Sequence, residues 1–81
     1  MNEPQRLNLI NAMMLLEICQ DLCSGAIQAE DCIATGEDML EAAHNLIESS
    51  LYEDDVSLGA KHMVVKVHAN AAIKDAMRNS K

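Results

Sequence analysis

The sequence has no tryptophan and no phenylalanine, and Tyr52 is its one aromatic residue. A core without such rings must be filled by Leu, Ile, Val, Met and Ala, each of which removes less apolar surface from water than a ring does. The same lack argues against nucleic-acid binding, since the few basic residues have no aromatic side chains among them.

Basic residues are missing from most of the chain. Between Leu7 and Ala60 there is no Lys or Arg, while eleven Asp and Glu fall there. The formal net charge is −7, and a body of that sign would be repelled by phosphate backbones. The bases collect in the last part of the chain: Lys61, Lys66, Lys74, Arg78 and Lys81, with Asp75 the one acid among them. The chain therefore reads as an acidic body with a basic C-terminal helix, and direct nucleic-acid contact is not expected.

Long apolar runs are also missing. The longest is Ala12 to Leu16, far short of a bilayer span, so no membrane contact is expected. The opening Met1-Asn2-Glu3-Pro4 is polar and has neither the basic nor the apolar region of a secretory signal. A soluble, cytoplasmic protein with reduced thiols is the expectation.

Catalytic and metal motifs are missing as well. Cys19, Cys23 and Cys32 include no CxxC pair, and His44, His62 and His68 form no HExxH pattern. Gly25, Gly36 and Gly59 are isolated, so no phosphate-cradling loop is present. Carboxylate pairs such as Glu37 and Glu41 carry no sign of the unequal environments that acid–base work needs. Neither an enzyme nor a cofactor or metal site is expected, and the cysteines read as core thiols.

What is present is helical spacing. At 81 residues the chain is one domain, and 49% hydrophobic residues are ample for a helical bundle and too many for disorder. The first helix is predicted from Pro4 to Ser24, with Gly25 as its C-terminal cap. The second is predicted from Gln28 to Tyr52. In it Ala29, Gly36, Ala43 and Ser50 recur every seven residues as a small-residue seam for close packing, flanked by Ile33, Leu40 and Ile47 on one side and Cys32, Met39 and Leu46 on the other. That phase favours one continuous helix through Gly36. The alternative is a break there, with Thr35 capping a new helix and Asp38 completing a loose capping box. Glu53-Asp54-Asp55 is an acidic turn in which Asp54 or Asp55 can cap a third helix from Val56 to Asn79. The expected fold is all-α: a hairpin of the first two helices with the third packed across it, completed by a homodimer.

Two surfaces stand out. Glu30, Glu37, Glu41 and Glu48, widened by Asp31 and Asp38, fall within about 40° of one another on a helical wheel, a line about 27 Å long. Such a stripe suits a partner with a basic surface. The run Met13, Met14, Leu15 and Leu16 lies on a first helix whose apolar face is too wide for one neighbour, which makes it a candidate oligomer face.

Three functions follow as expectations. The first is a non-enzymatic interaction module, an adaptor or regulator binding itself and another protein through helical surfaces. The second is a small acidic inhibitor, such as a viral anti-defence protein, that blocks a basic nucleic-acid groove. The third is a cysteine-based redox or metal sensor. Salt sensitivity separates the second from the first, and cysteine replacement isolates the third.

Overall fold

A computed structural model describes residues 2–32, 34–52 and 54–79, with side chains described through residue 76. It is all-helical, with no strand among the described residues. The elements are α1 (Glu3–Ser24), a single 3-10 turn (Ala29–Asp31), α2 (Gly36–Tyr52) and α3 (Leu58–Asn79).

Asn2 starts α1. Its Oδ1 accepts from the Gln5 amide at 2.9 Å, and Gln5 Oε1 accepts from the Asn2 amide at 3.0 Å. This reciprocal capping box satisfies two of the amides a helix start leaves open. Pro4 occupies the first turn and Glu3 adds negative charge at the positive end of the dipole. Gly25 ends α1 in the left-handed region at φ +81°, donating back to the Leu22 carbonyl.

The second helix departs from expectation. It begins at Gly36 rather than Gln28, and residues 29–31 form only a short 3-10 turn. The reason is local. Thr35 Oγ1 accepts from the Asp38 amide at 3.1 Å, and the Thr35 carbonyl accepts from the Met39 amide, so Thr35 caps a fresh start. Glu37 and Asp38 stabilise that start from its first turn. Ile33, one of the residues in the predicted flanking row, lies outside the described residues, as does Glu53 of the predicted acidic turn.

The third helix is also capped differently. Ser57, not Asp54 or Asp55, precedes its first turn, with Ser57 Oγ accepting from the Ala60 amide at 3.2 Å and its carbonyl accepting from Lys61. Two α2 side chains hold the preceding segment. Asn45 Oδ1 accepts from the Ser57 amide at 3.0 Å, and Ser49 Oγ donates to the Asp55 carbonyl at 3.3 Å.

α1 and α2 run antiparallel. Gln5 meets Ser50 at one end of the hairpin, and Cys19 and Leu22 meet Gly36 at the other. Their shared core is Ala12, Leu15 and Cys19 from α1 with Met39, Ala43 and Leu46 from α2. Alanines at this interface let the backbones approach closely. α3 crosses the hairpin, adding Ala60 and Val67 to the core and packing Met63 and Val64 beside it. His68 Nε2 lies 3.2 Å from Asn11 Oδ1, which brings the middle of α3 to α1. Beyond that point Ala69 to Ala76 are exposed, except for half-buried Asn70. Among the described residues no helix is long and apolar enough to cross a membrane.

Candidate interaction surfaces

The outer face of α2 carries Glu37, Glu41 and Glu48, all exposed. Because the helix begins at Gly36, Glu30 sits on the 3-10 turn and is not part of the same line. The helical stripe is therefore shorter than expected, about 16 Å from Glu37 to Glu48 at 1.5 Å per residue. Two leucines share this exposed face: Leu40 is 49% exposed and Leu51 69%. His44 Nδ1 lies 3.1 Å from Glu48 Oε1 one turn away, an exposed pair of small energetic weight.

Asp38 lies at the edge of this face, where with Glu41 and Glu48 it borders a groove of about 450 Å³ between α2 and the start of α3. Asp38, Glu41 and Asn45 line one wall, and Ser57, Gly59 and Met63 line the other. The groove is open and polar on its α2 side, and the acids of the α2 face continue into it.

The small-residue seam is split by the same change in helix start. Gly36, Ala43 and Ser50 lie along α2 toward α1, where a Cβ on Gly36 would stand 3.8 Å from Leu22 Cδ1 and Ser50 Oγ donates to the Gln5 carbonyl. Ala29 is exposed on the 3-10 turn and takes no part.

The run Met13 to Leu16 does not form one surface. Successive helical residues point 100° apart, so Leu15 is fully buried in the core, Met14 and Leu16 are half-buried, and Met13 is 60% exposed. Leu15 is thereby unavailable to an oligomer face. The exposed apolar residues of α1 are instead Leu7, Ile10 and Met13.

The three thiols are free, and only Cys19 belongs to the core. Its Sγ donates to the Gly36 carbonyl at 3.6 Å. Burial pushes this thiol above its ordinary pKa, and neighbouring Cys23 and Cys32 add to the shift by opposing a second negative charge. Cys23 is exposed and Cys32 half-buried, so the reading of all three as core thiols is corrected. Eight residues lie between Cys23 on α1 and Cys32, which follows the 3-10 turn. Among the described residues no three His, Cys, Asp or Glu side chains group so as to hold a metal ion.

Helical spacing groups Met63, Val64, Val67 and Ala71 of α3 on one face, widened by Val65, Ala69, Ala72, Ile73 and Ala76. The apolar residues of α3 do not form one broad stripe. Ala60, Met63, Val64 and Val67 face the hairpin, whereas Leu58, Val65 and Ile73 are 69%, 66% and 59% exposed. The seven-residue recurrence of Leu58, Val65 and Ala72 carried that signal.

Neither family models, nor curated proteins, nor solved structures give a match to this chain.

Proposed function

We propose that the chain is a non-enzymatic interaction module, an adaptor or regulator that docks another protein on the outer face of α2. The observation that carries this reading is the exposure of Leu40 and Leu51 on the helix face that also presents Glu37, Glu41 and Glu48. Apolar anchors ringed by charge of one sign suit a basic, amphipathic segment, whose apolar side chains cover the leucines while its Lys and Arg meet the glutamates. The three free thiols suit a reducing compartment such as the cytoplasm.

The test is comparative capture from the host lysate with the parent chain, Leu40→Asp, and the pair Glu37→Lys with Glu41→Lys. A protein retained by the parent and lost with both variants supports the reading. Equal retention by all three chains overturns it.

A second reading draws on one specific observation, the absence of Lys and Arg between Leu7 and Ala60 alongside eleven acids. An acidic body of that kind suits a basic nucleic-acid groove as its target, which would make the chain an inhibitor. In that case the captured partner binds nucleic acid, the chain displaces it, and the displacement weakens steeply with salt.

A further inference from the structure

We propose that α3 is a self-association helix, along which two copies of the chain pair antiparallel about a two-fold axis at the level of Val67. This uses a different face from α2 and stands independently of the reading above.

α3 has two apolar flanks. One, with Ala60 and Val67 buried, is covered by the hairpin. At 100° per residue Leu58, Val65, Ala69, Ala72 and Ala76 point away from that flank, and all five are exposed. Together with His62 they recur at alternating steps of four and three residues: 58, 62, 65, 69, 72 and 76. That alternation is the seam of a paired helix. A helix covered on one flank needs no second apolar flank to stay folded on its hairpin. Its C-terminal half, moreover, extends past the hairpin with Ala69, Ala71, Ala72, Ile73 and Ala76 in water, where a helix of that length is marginal by itself.

The occupant that fits is a second copy, and the side chains select its direction. In an antiparallel pair centred on Val67, Leu58 faces Ala76 of the second copy, His62 faces Ala72, and Val65 faces Ala69. Each larger residue meets an alanine, so all layers fill evenly. In a parallel pair the larger residues would meet one another at one end and alanines would face alanines at the other. Charge points the same way. Lys61 and Asp75 both flank the seam on one side, and the antiparallel register sets Lys61 of each copy beside Asp75 of the other, twice by symmetry. A parallel pair would set Lys61 beside Lys66 of the second copy, like against like. The antiparallel register also brings the two Lys66 side chains near the axis on the opposite flank, where their length lets them spread into solvent. The arrangement lays the unsupported Ala69–Ala76 half of each α3 on the Leu58–Val65 half of the other, which its own hairpin backs.

Light scattering on the full chain across micromolar concentrations tests the proposal. The expected mass is twice that of the chain. Ala69→Glu places a carboxylate in the central layer and is exposed in the single copy, so helicity by circular dichroism is retained while the dissociation constant rises roughly tenfold or more. Lys61→Glu weakens pairing several-fold, and adding Asp75→Lys to it restores pairing. A parent chain that stays single at high micromolar concentration overturns the proposal, as does a dimer indifferent to Ala69→Glu. A dimer lost with Ala69→Glu but not rescued by the charge exchange overturns the antiparallel register.

Discussion

Gln5 and Ser50 are joined by two reciprocal hydrogen bonds: Gln5 Nε2 donates to the Ser50 carbonyl at 3.0 Å, and Ser50 Oγ donates to the Gln5 carbonyl at 3.0 Å. The pair closes the open end of the α1–α2 hairpin, where the first turn of one helix lies beside the last turn of the other. Because Gln5 also completes the capping box with Asn2, one side chain serves helix initiation and helix packing together. Ser50→Ala is expected to cost about 1 kcal/mol and Gln5→Ala about 1–2 kcal/mol of unfolding free energy. Each substitution removes a different bond, from one side chain to the other residue's backbone carbonyl, so the double variant should cost close to the sum. Urea unfolding of the four chains measures this, and a double variant well short of the sum would show that the two bonds depend on each other.

The glycines at either end of the interhelical connection respond in opposite directions to alanine. Gly25 holds φ +81° with nothing near its missing side chain, so Gly25→Ala pays only backbone strain, about 1 kcal/mol. Gly36 opens α2 and has room for a methyl group at ordinary contact distance from Leu22. Gly36→Ala should be neutral or stabilising by about 0.4–1 kcal/mol, through lower entropy of the unfolded chain. Midpoints of thermal unfolding moving in the same direction would contradict this.

Residues two apart in the Met13–Leu16 run differ as sharply. Leu15 has no exposed surface, and Leu15→Ala should cost about 2–5 kcal/mol in this small core. Met13 stands 60% exposed, and Met13→Ala should shift stability by no more than about 0.5 kcal/mol. Equal losses in denaturant unfolding would place the run on one buried face.

Burial of the Cys19 thiol ties stability to alkaline pH. Its folded pKa lies above the ordinary 9.0, so the unfolded chain releases this proton first as pH rises. The associated stability is full below the ordinary value and is lost as pH climbs through the folded one. Unfolding midpoints should therefore fall from about pH 9 upward, and Cys19→Ala should flatten that decline. Alkylation at neutral pH should label exposed Cys23 before Cys19, and simultaneous labelling would count against a buried Cys19.

Helix identity was legible in the residues, while helix boundaries were only partly so. Pro4 and Gly25 announced α1 because each acts through its own backbone, Pro4 by its fixed φ and Gly25 by its freedom to take a positive one. The start of α2 was concealed because Ala29, Gly36, Ala43 and Ser50 keep one phase across a break, and phase alone does not report where hydrogen bonding begins. Thr35 and Asp38 held the competing signal and prevailed. At α3, Asp54 and Asp55 are as fit to cap as Ser57, and the choice fell to Asn45, a residue of another helix that holds the Ser57 amide. The acidic face of α2 followed from spacing, but Glu30 left it with the helix boundary. The doubled flanks of α3 were hidden because apolar residues on opposite sides of one helix look like a single wide stripe until a neighbour covers one of them.

The anchoring of the segment before α3 has a mechanical meaning. Asn45 and Ser49 grip Ser57 and Asp55 with side chains of α2, so two hydrogen bonds at its root, together with Ala60 and Val67 in the core, set the heading of α3. A helix of 22 residues is about 33 Å long, and a swing of 10° at that root would carry its far end about 6 Å. The root of this arm borders the groove that contains Asp38 and Glu41, and Asn45, which holds the Ser57 amide, forms part of that groove's wall.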